Sequence, residues 1–218
     1  MPTHNVSQGE CISSIASKYG FTIQTIVNHS PNEELKRKRP NLNILFPGDQ
    51  VFIPEIRIEK TSGATGQMHR FVLKQTPVKR LRLAMEDAEG NRLSNCSFEL
   101  QIGERMERGK TTGNGMIEKD VPVDLTEATL KLEVNQIRYT WELKIGYLNP
   151  AANTPDEGVS GIQARLQNLG FYAGPVDGIT SSQTEDAIKT FQEMNPPLEV
   201  DGSSNKATLE KLIALHGC

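Results

Sequence analysis

The feature that most narrows what this chain can fold into is a turn followed by a helix, written twice near the C-terminal end. In "GPVDGITSSQTEDAIKTFQ", Val176-Asp177-Gly178 is followed after five residues by Thr184 and then by Ile188. In "LEVDGSSNKATLEKL", Val200-Asp201-Gly202 leads at the same spacing to Thr208 and Leu212. Glycine relaxes the backbone of such a loop, and aspartate can accept from amides within it. Ser160 with Gln163 and Ser182 with Glu185 read as capping boxes, and Asn205 as an N-cap. Inward stripes at Ile162, Leu166 and Leu169, at Ala187, Ile188 and Phe191, and at Leu209, Leu212 and Ile213 complete three helices. Residues 151–218 are therefore expected to form a three-helix bundle, its repeat first of all structural.

The remainder of the chain has a different grammar. With 36% hydrophobic residues over 218 positions, several small cores fit better than one large core. Residues 1–59 carry six basic and six acidic side chains, residues 60–150 fourteen and twelve, and residues 151–218 four and nine. That shift, with the linker "NPAANTPDEGV", places a boundary near 150. Residues 57–150 read as β throughout. Leu81, Leu83 and Met85 alternate, as do Phe98, Leu100 and Ile102, Leu130, Leu132 and Val134, and Trp141, Leu143 and Ile145. Turn signals separate the runs, which predicts an antiparallel sandwich or barrel with Trp141 in its core and Cys96 as a small buried apolar side chain.

Residues 1–56 predict a strand near His4–Val6, a helix carrying Ile12, Ile15, Ala16 and Tyr19, a stop at Gly20, and a second helix capped by Thr22. A Pro-Gly turn then leads to a strand at Val51–Ile53. The run Lys36-Arg37-Lys38-Arg39 falls in the connection before that strand and reads as a solvated face. The whole is a multidomain α+β chain: a small βααβ unit, a sandwich and a helical bundle.

Three resemblances follow from these motifs. "HNVSQGECISSIASKYGFTIQTIVNHSP…LFPGDQVFIP" resembles a lysin motif (LysM) domain. The resemblance implies a glycan groove between Gly9, Glu10, Cys11 and Ile12 on one side and Leu45, Phe46 and Pro47 on the other. Cys11 stands where that family prefers a hydroxyl, and "NEELKRKRPNLNI" lengthens the last connection. "MEDAEGNRLSNCSFELQIGERMERGKTTGNGMIEKDVP" resembles a transthyretin-like, or carboxypeptidase-regulatory, β-sandwich. "SGIQARLQNLGFYAGPVDGITSSQTEDAIKTFQ…VDGSSNKATLEKL" resembles the peptidoglycan-binding domain 1 family. It implies ligand contacts near Tyr172, Asp177, Phe191 and Gln192. The order of the three modules is similar to that of proteins found with type VI secretion and other contractile injection systems. It implies peptidoglycan and a secretion spike as partners.

No pairing of nucleophile and base, paired carboxylates in a cleft, or metal-ligand spacing stands out. Asp177 and Asp201 share one turn context and read as turn residues. The expectation is a non-catalytic glycan-binding chain without metal or cofactor, with a structural adapter as the alternative. Its formal charge of −3 gives no global reason to bind nucleic acid. No window reaches the ~18 apolar residues of a membrane span. The start, "MPTHNVSQGE", lacks the basic and apolar regions of a signal peptide, so synthesis in the cytosol is expected. The module resemblances imply action in the periplasm or at the cell wall, with injection as one route there.

Overall fold

The computed structural model describes residues 2–55, 63, 65–70, 77–87, 89–172 and 174–217. Cys218, to which the sequence assigns no role, lies outside them. Two compact units result. One is drawn from Met1–His4, Gly9–Glu33 and Gln50–Gly146, the other from Asn5–Gln8, Glu34–Asp49 and Tyr147–Cys218. The stretch 1–56 thus contributes to both.

In the first unit, short strands β1 (Thr3–Asn5) and β2 (Gln50–Phe52) pair, with helices α1 (Ile12–Lys18) and α2 (Ile23–Val27) between them in the chain. The α1 stripe buries Ile12, Ile15 and Ala16, as its period requires. Gly20 ends it at φ +73°, and Thr22 accepts from the Thr25 amide at 3.2 Å to start α2. Buried Asn32 closes the unit. Its Nδ2 donates to the carbonyls of Ile26 and Phe52, and its Oδ1 accepts from the Phe52 amide.

The sandwich of the same unit has a four-stranded sheet in the order β5 (Arg105–Lys110), β4 (Ser97–Ile102), β7 (Glu127–Val134), β8 (Ile137–Lys144). A two-stranded sheet of β3 (Val78–Ala84) and β6 (Met116–Pro122) supplies the facing layer. Phe98, Leu100, Ile102, Leu130 and Leu132 from the large sheet meet Ile117 and Val121 from the small one. The strict alternation of these side chains dictates the register, because a slip of one residue would turn each apolar set outward. Two expectations fail here. Trp141 is 38% exposed rather than buried, because β8 is the outermost strand of its sheet. Cys96 is half-buried, and its thiol donates to the Ser94 carbonyl at 3.5 Å.

In the second unit the basic run is not a solvated loop. Lys36, Arg37 and Lys38 end helix α3 (Glu33–Lys38), and Arg39 is only 2% exposed. Arg39 Nε donates to Asp49 Oδ2 at 2.6 Å and Nη2 to Oδ1 at 3.0 Å, while Nη1 donates to the Asn153 carbonyl at 2.7 Å. Burial pushes the Asp49 carboxyl up, but hydrogen bonds from Arg39, the Phe46 amide and Lys38 outweigh it and hold the carboxyl below its ordinary range. One residue of a four-residue charge run is thus a core residue, since a bidentate partner and a carbonyl are available inside.

Helices α4 (Val159–Asn168), α5 (Ser182–Glu193) and α6 (Lys206–His216) form the bundle of this unit. Their core is Ile162, Leu166, Ala187, Ile188, Phe191 and Leu212, with Tyr172 and Ala151. The Phe171 and Phe191 rings meet edge to face at 5.3 Å. Two caps differ from expectation. Ser160 and Gln163 are buried and form no capping box. Asp156 instead accepts from the Ser160 amide at 2.9 Å, and the chain enters α4 through Gly158 at φ +86°. Ser181, one residue before the expected Ser182, caps α5 by accepting from the Thr184 amide at 3.3 Å. Asn205 caps α6 as expected, accepting from the Thr208 amide at 3.0 Å.

Candidate functional site

Each Asp-Gly loop of the bundle is wound around one buried glutamine. Gln163, on α4, accepts with Oε1 from the amides of Asp177 at 3.1 Å and Gly178 at 2.9 Å. Its Nε2 donates to Asp177 Oδ1, the Ile179 carbonyl and Thr184 Oγ1 at 3.0–3.2 Å. Gln192, on α5, repeats every one of these contacts. Oε1 accepts from Asp201 and Gly202 at 3.1 and 2.9 Å, and Nε2 donates to Asp201 Oδ1, the Ser203 carbonyl and Thr208 Oγ1 at 2.9–3.1 Å. Both glutamines are fully buried. A primary amide offers two donors and an accepting oxygen in one plane, which is what a loop with two inward amides and inward oxygens demands. The threonine and glycine of the repeat have the same explanation: Thr184 and Thr208 are buried acceptors, and Gly178 and Gly202 both sit at φ +74°, where a side chain is strained.

This geometry corrects two expected ligand contacts. Phe191 and Gln192 are both fully buried, one in the core and the other inside the second loop, so neither presents a surface. Tyr172 is 5% exposed and its hydroxyl donates to the Pro175 carbonyl at 3.0 Å, which braces the first loop from behind. Asp177 remains at the surface, between exposed Val176 and Ile179.

The two loops differ in what they leave outside. In the second, Ser203 follows Asp201 by two residues; its amide donates to Asp201 Oδ1 at 2.8 Å and its hydroxyl to Oδ2 at 2.6 Å. Those bonds, the hydroxyl foremost, bring the Asp201 carboxyl down to about 2. In the first loop Ile179 occupies that place. Its amide bonds Asp177 Oδ1 at 2.9 Å, and this bond with that from Gln163 lowers the carboxyl. Ile179 has no hydroxyl to offer Oδ2. The first loop therefore shows a carboxylate oxygen flanked by Val176, 40% exposed, and Ile179, 64% exposed. It is an exposed loop with a carboxylate oxygen beside two apolar side chains.

Residues 155–212, the span holding both loops, match the family model described as "Putative peptidoglycan binding domain". By that match, this part of the chain is similar to peptidoglycan-binding domains. The chain also aligns with the spore cortex-lytic enzyme of Oceanobacillus iheyensis, 42% identical over 57 residues. That alignment takes in 26% of this chain and 20% of the relative, so the chain spans about a fifth of the length of the curated relative it matches. No solved structure matches the chain. The expectation of a non-enzyme does not stand beside this finding, because the segment that carries the strongest motifs is shared with a protein named for lysis.

The residues expected to form the N-terminal glycan groove fall in different units. Gly9, Glu10, Cys11 and Ile12 belong to the first, Leu45, Phe46 and Pro47 to the second. Cys11 and Ile12 are buried, and Ser14 Oγ accepts from the Cys11 amide at 3.0 Å and donates to its carbonyl at 2.9 Å. Gly9 and Glu10 line a cleft of about 470 Å³ with Ser14, Ser17, Lys18, Asp124 and Thr126. Glu10 Oε2 lies 2.7 Å from His4 Nε2, and Lys18 Nζ lies 3.4 Å from Oε1. His4 Nδ1 is 3.1 Å from the Tyr19 hydroxyl. Sequence spacing could not foresee this array, since His4 and Tyr19 meet only through the fold. In the second unit Leu45 is buried, and the Phe46 ring lies 6.0 Å from the Arg39 guanidinium. Among the described residues no group of three His, Cys, Asp or Glu side chains could hold a metal ion, and no helix is long and apolar enough to cross a membrane.

Proposed function

We propose that this protein binds peptidoglycan at the cell wall through residues 155–212, with the Asp177 loop as the contact. The match to the peptidoglycan-binding family carries the reading. The choice of the first loop rests on its carboxylate oxygen without a serine partner and its exposed Ile179, where the second loop turns its carboxylate onto Ser203; the valines, Val176 and Val200, are exposed in both. Binding is shallow and in the ~micromolar range, as expected of a few loop hydrogen bonds with two apolar contacts. A second reading, favoured by the cortex-lytic relative, is that the chain acts on the wall as well as holding it.

The cleft bounded by Gly9 and Glu10 would take a glycan as a LysM module does, and residues 57–150 would space the two ends as a transthyretin-like sandwich. Delivery by a contractile injection system, or an adapter role at its spike, rests on the order of modules alone. Sedimentation with purified peptidoglycan sacculi tests the main proposal. The intact chain should pellet saturably, and the double substitution Asp177→Ala with Ile179→Ser should weaken pelleting by about tenfold, while Asp201→Ala leaves it within about twofold. Equal losses from the two loops would remove the first loop from the contact. No pelleting at all would remove peptidoglycan. Assaying the same supernatants for released muropeptides reads the second reading directly.

A further inference from the structure

Among the described residues, the outer strand β8 is left with both a bare backbone edge and an uncovered apolar strip. Its register sets Ile137 opposite Val134, Tyr139 opposite Leu132, Trp141 opposite Leu130 and Leu143 opposite Ala128. These four therefore share the face that, one strand inward, is core. On the first five residues of β8 that face is open: Ile137 is 56% exposed, Tyr139 45% and Trp141 38%, and the two rings stack at 5.9 Å with 23° between their planes, while Leu143 is half-buried against the core. Arg138, Thr140, Glu142 and Lys144 alternate on the other face. Soluble proteins blunt such edges with proline, bulges, very short strands or charged side chains, and the charges on β8 are of both signs, so they can pair as well as repel. β8 has eight residues in unbroken register, without a proline.

We propose that β8 pairs antiparallel with β8 of a second copy of this chain, about a two-fold axis at Thr140. A two-fold axis normal to the sheet keeps each face with itself, so residues of like parity must meet, and charge together with the length of strand paired then selects the register. With the axis at Thr140, Arg138 faces Glu142 of the second copy, twice over. On the apolar face Tyr139 meets Trp141, and Ile137 meets Leu143. An axis at Arg138 or at Glu142 sets like charges against each other. One at Trp141 opposes Arg138 to Lys144, and one at Tyr139 leaves Arg138 facing Thr140. An axis at Leu143 does set Glu142 against Lys144, but it pairs only the last three residues of the strand and leaves both rings without a partner in it. Only the register at Thr140 is self-complementary in charge, in ring pairing and in aliphatic pairing together. The present neighbour of Arg138, Glu133 at 3.7 Å, is itself half exposed and competes weakly. The assembly would carry residues 155–212 twice, which raises apparent affinity for a repeating polymer. That consequence rests on the wall-binding proposal; the dimer itself does not.

Sedimentation velocity on the full chain across about 1–500 µM tests the pairing. The expected result is a concentration-dependent dimer. Trp141 is the one tryptophan, so its emission should shift to the blue as dimer forms. Arg138→Glu and Glu142→Arg should each weaken association by about tenfold or more, and the two together should restore it to within about threefold. Thr140→Cys, in a Cys96→Ser, Cys218→Ser background, should cross-link to its own copy on mild oxidation. A chain that stays monomeric over the range overturns the proposal, as does a dimer indifferent to both charge reversals. A monomer whose Trp141 emission responds to N-acetylglucosamine oligomers overturns it as well and gives the rings to sugar.

Discussion

The two Asp-Gly loops of the bundle share a skeleton and differ in dress. Each is wound on one buried glutamine, bridged to one buried threonine and turned at one glycine with φ +74°. Around that common frame the second loop folds its carboxylate onto Ser203, and the first sets Ile179 outward and leaves Asp177 Oδ2 without such a partner. The difference separates two jobs that the repeat had merged. What recurs is what a loop needs in order to deliver the chain to a helix. What differs is what a surface can offer to a ligand.

The largest effects should come from the shared frame. Gln163→Ala and Gln192→Ala each leave two loop amides, a carboxylate and a buried threonine hydroxyl short of a partner, and each should cost about 3 kcal/mol. Denaturant unfolding followed by far-ultraviolet circular dichroism measures this, since Trp141 reports on the sandwich. The two costs should agree within about 1 kcal/mol, given the non-additivity of such networks. A large cost at one and none at the other would break the equivalence of the loops.

Glycine substitutions sharpen the contrast at intermediate size. Gly178→Ala and Gly202→Ala both strain the backbone, at about 1–2 kcal/mol. A Cβ at Gly178 would stand 2.8 Å from Asp156 Oδ2, the carboxylate that caps α4, whereas one at Gly202 would stand 2.9 Å from Cε of the flexible Lys189 side chain. Gly178→Ala should therefore be the more damaging, and thermal melts of the pair would show it. Equal melting losses would mean that Asp156 yields as easily as a lysine.

The smallest effect is titration. Asp201 is drawn from the ordinary 3.8 to about 2 in the folded chain. A folded value below the unfolded one means that its contribution is fully present above about pH 4 and disappears as pH falls through about 2. Asp201→Asn should flatten the acid limb of the stability curve in that window, and Ser203→Ala should move the Asp201 carboxyl upward, toward its ordinary value. Carboxyl chemical shifts across pH 1.5–5 (roughly the linkage window) read both. An Asp201 that titrates at its ordinary value would undo the distinction between the loops.

How much of this was legible varies with the distance over which each feature is made. The Val-Asp-Gly turns, the threonines after them and the Asn205 cap were visible, because each is completed within a few residues. The glutamines were not. Gln163 lies 14 residues before Asp177, while Gln192 lies 9 before Asp201, so no fixed period marks them. The same holds for Arg39, which reads as one more charge in a basic run until Asp49 and the carbonyl of Asn153, 114 residues away, enclose it. Trp141 alternates like any core residue. Its exposure follows from the place of β8 at the rim of the sheet.

By itself, then, the sequence determined the local elements: the helical stripes, the alternating strands, the paired turns and the family to which residues 155–212 are similar. Propensity, capping and periodicity act over a turn or a strand pair and are written in neighbouring residues. Tertiary structure alone decided which polar side chains go inside and which apolar strip stays out. Each of those outcomes turns on hydrogen-bond partners and covering layers from distant parts of the chain, and burial of an amide or a guanidinium is favourable only where those partners converge.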